Sequence, residues 1–78
     1  MRYDVYILQS IEHGTFYKGI SNDLKRRINE HNSRKDQSST KWAPYHLVWF
    51  DIKTNKSEAH KIQQKLKKLS RTRTMALL

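Results

Sequence analysis

Two tyrosines in short motifs are the first residues whose types and spacing could do chemistry. Tyr6 lies in VYI at residues 5–7, and Tyr17 lies in YKG at residues 17–19. If these segments form neighbouring antiparallel strands, both hydroxyls can lie close together on one face of a sheet. A tyrosine hydroxyl whose pKa is lowered by nearby cations can, once ionised, take a proton from an attacking water. Aromatic pairs across a hairpin are also routine packing, and the spacing alone favours packing.

Arg27 and His31 form a second pair, four residues apart in a segment with helical spacing. Their side chains therefore emerge on one side of a helix. A guanidinium beside an imidazole suits a phosphodiester, because it supplies a fixed charge and a group that can pass a proton. A solvated basic helix, in which Glu30 neutralises Arg26, explains the same pattern.

A small set of strands and helices must position these side chains. Residues 3–9 and 16–20 are predicted strands joined by a turn, and residues 45–52 form a third strand, apolar enough to lie in the middle of the sheet. A first helix is predicted to follow the capping residues 21–23 and to end at Asn32 and Ser33. A second begins after Asn55 or Ser57 and ends near Ser70. The polar run RKDQSSTK at residues 34–41 predicts a mobile loop.

The order β-β-α-β-α predicts an α/β (α+β) fold with a central three-stranded antiparallel sheet flanked by helices. The 78 residues leave room for one domain, residues 1–78, with a core at about 3–70 and a basic, then apolar, tail at 71–78. This tail could dock on the sheet, bind a protein partner or fray.

Composition narrows the classes of function. Sixteen Lys and Arg against seven Asp and Glu give a net charge of +9, and the mean hydropathy is −0.94. Zero cysteines exclude a disulfide scaffold and Cys-based zinc sites, and the four histidines fall in four different elements, which indicates scattered surface residues. No apolar run is long enough for a membrane span and no signal peptide is evident, so we expect a cytoplasmic protein. The charge favours nucleic acid as partner; a surface made soluble by lysine is the alternative.

Several motifs together resemble the GIY-YIG nuclease superfamily, in its small, stand-alone, single-domain bacterial branch. The resemblance covers nearly the whole chain. Its motifs are VYI (5–7), YKG (17–19), NDL (22–24), Arg27 with His31 and Asn32, APY (43–45), LVWF (47–50), SEA (57–59) and KKLS (67–70). Each motif is short, but their order and spacing are quite specific.

This resemblance implies an endonuclease that hydrolyses DNA phosphodiester bonds with Mg²⁺. By position, Tyr6 and Tyr17 match the motif tyrosines, one of which is thought to deprotonate water, and Gly19 closes the second motif. Arg27 matches the arginine that stabilises phosphate charge, and His31 matches a histidine that assists nucleophile activation. We further expect the basic residues Lys18, Arg26 and Lys67 to contact nucleic acid.

Gln63 departs from the family, which has a metal-binding glutamate at this position. An amide oxygen carries no charge, whereas Mg²⁺ is normally held through carboxylates and phosphates. Glu58 lies about 140° away around the helix and cannot simply substitute. Gln63 is explained by an engineered Glu→Gln change, by a natural domain that binds without cutting, or by a misaligned second helix.

The sequence therefore predicts a GIY-YIG-like domain that engages DNA, with branched and nicked forms left open, and that is impaired as written in hydrolysis. The alternative is a non-catalytic nucleic-acid-binding or interaction module on the same fold. Mg²⁺ is the expected cofactor only if the domain is active, and no small-molecule ligand is expected.

Overall fold

The computed structural model describes residues 2–33 and 42–78. Its strands are β1 (Tyr3–Ser10), β2 (Phe16–Ser21) and β3 (Tyr45–Lys53), and its helices are α1 (Leu24–Asn32), α2 (Lys56–Lys68) and α3 (Arg71–Leu77). The strands form one antiparallel sheet in the order β2-β1-β3. The predicted α+β fold with a three-stranded antiparallel sheet is thus confirmed. The loop predicted for residues 34–41 lies outside the described residues.

Strand β1 occupies the middle of the sheet, so the prediction that the third strand is central is wrong. All residues from Asp4 to Leu8 are buried, and Asp4 is tolerated there because Arg2 Nε donates to its Oδ1 at 2.8 Å. A continuous apolar run is typical of a strand covered on both faces. At the edge, β3 instead leaves apolar side chains partly open to solvent: Leu47, Phe50 and Ile52.

The two faces of the sheet are covered by different helices, because successive side chains of β1 point in opposite directions. On one face, Ile7 packs with Ala59 and Leu66 of α2. On the other, Tyr6 packs with Ile28 of α1. Tyr6, a candidate catalytic residue, therefore lies on the face of the sheet that α1 covers.

Short polar side chains cap the first two helices where the sequence predicts helix starts. The carboxylate of Asp23 accepts from Arg26 N at 3.2 Å at the start of α1. Asn55, rather than Ser57, caps α2, since its Oδ1 accepts from Ser57 N at 2.8 Å and Glu58 N at 3.3 Å. These bonds satisfy backbone N–H groups that have no partner within a first turn.

The C-terminal tail forms a third helix that the sequence analysis did not predict. Ser70 caps α3, and Thr74 is fully buried. Lys18 Nζ donates to Thr74 Oγ1 at 2.8 Å and to the Leu66 carbonyl at 2.7 Å, so β2 holds both α3 and the end of α2. Within residues 2–33 and 42–78, no helix is long and apolar enough to cross a membrane.

Candidate functional site

The two motif tyrosines lie together on the α1 face of the sheet. Their rings stack with centroids 6.3 Å apart and planes inclined by 25°. Tyr6 is 1% exposed, whereas Tyr17 is half-buried. Gly19 pairs with Tyr6 across the strands, and a Cβ at this position would lie 2.6 Å from the Tyr6 hydroxyl oxygen and 2.8 Å from its Cζ. Glycine is therefore favoured here, because any side chain would push against the buried ring.

Arg27 donates a hydrogen bond to the hydroxyl oxygen of Tyr6. Burial of the guanidinium opposes its charge, but this bond, the two tyrosines and Glu30 together raise the pKa of Arg27 above its ordinary value. Arg27 Nη1 lies 3.8 Å from Glu30 Oε1. Arg27 is thus a half-buried group that keeps its positive charge beside the tyrosine pair.

His31 lies beneath these groups and is 0% exposed. Its ring centroid is 4.4 Å from that of Tyr17 and 5.8 Å from that of Tyr45. Tyr45, which the sequence analysis named only as part of the APY motif, is fixed by Asn32: Tyr45 N donates to Asn32 Oδ1 at 2.6 Å, and Asn32 Nδ2 donates to the Tyr45 carbonyl at 3.0 Å. His31 therefore backs the ring of Tyr17 and is shielded from solvent.

Gln63 faces a cleft of about 440 Å³ between α2 and the start of α1, hereafter the Gln63 cleft. Its described lining residues are Tyr3, Ile20, Ser21, Asn22, Arg26, Arg27, Lys56, His60 and Gln63. The cleft brings together Arg27 and Gln63 from two different helices. Lys56 and His60, which the sequence analysis did not place in the site, precede Gln63 by seven and three residues, a spacing that puts all three on one helical stripe.

The residues predicted to contact nucleic acid occupy three different environments. Arg26 lines the Gln63 cleft and its Nε lies 3.5 Å from Glu30 Oε1. Lys67 is exposed in the last turn of α2 and does not line the cleft. Lys18 directs its ammonium to acceptors inside the protein, and burial lowers its pKa. Nucleic-acid contact by these residues stays a prediction.

The residues around Gln63 do not fit a resident Mg²⁺, which prefers anionic oxygen ligands. No acidic side chain is among the described residues that line the cleft. The carboxylate of Asp4 is held by Arg2, that of Asp23 caps α1, and Glu58 lines a different cleft with Lys53 and Lys61. In the described part of the chain, no three His, Asp or Glu side chains form a metal-binding group.

Nearly the whole chain is similar in sequence to known proteins. A sequence model of the GIY-YIG catalytic domain matches residues 2–76. A UPF0213 protein of Desulfotalea psychrophila is 38% identical over 76 residues, which cover 95% of this chain and 68% of that protein. A UPF0213 protein of Vibrio campbellii is 33% identical, over 99% and 74%.

The fold is also similar to that of a solved structure. The solution NMR structure of a UPF0213 protein from Bacillus halodurans has a TM-score of 0.63 and 33% identity, covering 99% of this chain and 82% of that one. The names of these relatives state no activity. The motif order, the matched length and the shared fold agree, and the chain belongs to the GIY-YIG family, whose type of activity is that of a nuclease.

Proposed function

We propose that the protein binds DNA phosphodiesters at Tyr17, Arg27 and the Gln63 cleft, and that its hydrolysis is impaired as written. The observation that carries this proposal is the placement of Arg27, which is held beside the tyrosine pair by its hydrogen bond to Tyr6 and lines a cleft with no acid among its described lining residues. Such a cleft attracts an anion. The net charge of +9 extends this attraction to a polyanion.

The chemistry of the nuclease-type family assigns a distinct task to each side chain. In phosphodiester hydrolysis a water oxygen attacks phosphorus, the bond to the leaving oxygen breaks, and a base takes the proton of the water. Tyr17 is the tyrosine that can reach that water, because Tyr6 is buried. Arg27 would donate to the phosphate oxygens as negative charge builds on them. His31 would act through Tyr17, by holding its ring.

Hydrolysis by this family is generally metal-dependent, and Gln63 is the residue that limits it here. A carboxylate brings a full negative charge to a cation, whereas an amide brings only a dipole. Loss of that charge commonly costs several kcal/mol in the transition state, and each 1.4 kcal/mol is about tenfold in rate. We therefore expect slow or undetectable cleavage, with DNA binding retained through the basic residues.

A non-catalytic nucleic-acid-binding module is the second candidate. It is favoured by the same cleft, whose described lining residues include no acid, because a domain that only binds phosphate has no need of a carboxylate there. The two candidates share the binding site and differ in whether a carboxylate at position 63 is sufficient for cutting.

Nicking of supercoiled plasmid and cleavage of labelled nicked or branched duplexes, with Mg²⁺ present, distinguish the candidates. We expect Gln63→Glu to gain Mg²⁺-dependent nicking by roughly 100-fold or more. The matched control is Gln64→Glu, the same change at the exposed neighbour outside the cleft, which should gain nothing. Adding Tyr17→Phe to Gln63→Glu should abolish the gain.

Three outcomes are informative. Robust cleavage by the Gln63 form that Tyr17→Phe leaves unaffected would show that the site is misplaced. Inactive Gln63→Glu protein that still binds DNA would support the non-catalytic module.

In binding assays, neutralisation of about five phosphates predicts that log K falls with log salt at a slope of roughly −4 to −5. Affinity that does not change between low and moderate salt would contradict DNA binding.

A further inference from the structure

We propose that the Gln63 cleft binds a phosphate group directly, with Lys56, His60 and Arg27 as its ligands and without a divalent cation. This inference rests on the proposed function and specifies how that site holds its anion. It follows from a disagreement between the family's metal dependence and the side chains that surround Gln63.

Three side chains with N–H donors lie on one stripe of α2. Lys56, His60 and Gln63 are spaced i, i+4 and i+7, so at 100° per residue they fall within an arc of about 60° on the helix surface. All three line the same cleft. An ammonium, an imidazole and a side-chain amide each offer N–H donors, and phosphate oxygens accept them.

Helix α1 supplies positive charge from the opposite wall of the cleft. Arg26 and Arg27 line the cleft together with the α2 residues. Their acidic neighbour Glu30 lies 3.5 Å from Arg26 Nε and 3.8 Å from Arg27 Nη1, but it lines a neighbouring cleft, which Arg26 also lines and Arg27 does not. A guanidinium binds phosphate through a planar fork of donors, which a single carboxylate does not exhaust.

Lys56 adds a further positive charge to the Gln63 cleft. Within the described residues, no acidic side chain forms an ion pair with Lys56. A divalent cation beside Gln63 would meet the repulsion of Lys56 and Arg27 without a carboxylate to offset it, whereas a phosphate would be attracted by both. Gln63 supports this arrangement, because a carboxylate at position 63 would repel the same phosphate.

Inorganic phosphate, titrated in the presence of EDTA, tests the site without nucleic acid. Binding is followed by NMR through the Gln63 side-chain amide and the Arg27 Nε–H, and we expect both to shift saturably. Lys56→Gln should weaken phosphate affinity about fivefold to tenfold, which is less than a buried charge-assisted hydrogen bond would contribute because Lys56 is exposed to solvent. Lys61→Gln is the matched control: it removes the same charge from the same helix, but Lys61 lines a different cleft, so affinity should change less than about twofold.

Two further variants make the test specific. Lys56→Arg should retain most of the affinity, because it keeps the charge, and Gln63→Glu should lose affinity in EDTA. Equal effects of Lys56→Gln and Lys61→Gln would overturn the proposal in favour of diffuse attraction. A requirement for Mg²⁺ in phosphate binding would overturn it as well. Saturable phosphate binding by a protein that does not bind DNA would refute the proposed function alone, so the two failures are distinguishable.

Discussion

Gly19→Ala is the substitution whose consequence is most directly worked out from the structure. The new Cβ would lie 2.6 Å from the Tyr6 hydroxyl oxygen, 2.8 Å from Tyr6 Cζ and 3.2 Å from Tyr17 Cε1. To restore an ordinary contact of 3.4 Å, the Tyr6 ring has to retreat by about 0.6–0.8 Å. Tyr6 is 1% exposed and stacks on Tyr17, so its ring can retreat only against other buried groups.

The expected loss of stability follows from two opposing effects. Overpacking of this size in a filled core costs typically about 1–3 kcal/mol. Replacing glycine by alanine also reduces the entropy of the unfolded chain, which returns about 0.4–1 kcal/mol. We therefore expect Gly19→Ala to lower the free energy of unfolding by about 1–2 kcal/mol, measured by urea denaturation followed by circular dichroism.

A double-mutant cycle attributes this loss to Tyr6. Tyr6→Phe removes the hydroxyl oxygen, which is the nearest atom to the new methyl group, and it also removes the hydrogen bond from Arg27. In the double variant the clash is partly relieved. Its loss of unfolding free energy should therefore be smaller than the sum of the two single losses, by about 0.5–1 kcal/mol. The reasoning is refuted if Gly19→Ala is within about 0.5 kcal/mol of the parent protein, or if the two changes are additive.

The remaining predictions concern Lys18. Lys18→Met should lower the free energy of unfolding by about 1–3 kcal/mol, because it leaves the Leu66 carbonyl and the Thr74 hydroxyl without their donor. Lys67→Met, at an exposed lysine, should change it by less than about 0.5 kcal/mol, and equal losses would contradict the argument. Burial lowers the pKa of Lys18 from its ordinary value of 10.5, so NMR should show its ammonium group titrating below that value. Since the unfolded chain then binds more protons, the stability of the parent relative to Lys18→Met should rise as the pH increases toward 10.5.

The sequence was sufficient to predict the elements whose signals are local. Alternation and β-branched residues identify the strands, and the short polar side chains Asp23 and Asn55 mark where α1 and α2 begin. The approach of Tyr17 to Tyr6 also follows from local pattern, because a hairpin register determines which residues share a face.

Features that depend on distant contacts could not be predicted from the same signals. The position of β1 in the middle of the sheet depends on which strand gains two neighbours, and the predicted segments of β1 and β3 each carry two polar residues in an otherwise apolar run, so composition does not rank them. The helix α3 has the basic, then apolar, composition of a tail that frays. It is held by Lys18, 56 residues away in sequence from Thr74. Nothing in the local sequence around Lys56 and His60 indicates a function. The cleft that they line exists only because α1 lies opposite α2 in the folded protein.

The YKG motif at residues 17–19 takes part both in a feature that the local sequence predicts and in one that depends on distant contacts. Side chains alternate along β2, so Tyr17 and Gly19 face α1 while Lys18 faces α2. The outer residues of the motif therefore shape the tyrosine site, and the middle residue holds the carbonyl of Leu66, which follows Gln63 by less than one helical turn. Because Lys18 fixes this end of α2 against the strand that carries Tyr17, one short segment sets the position of the Gln63 helix relative to the tyrosine site. A lysine at the centre of the motif is thus explained by helix positioning, whether or not it also contacts nucleic acid.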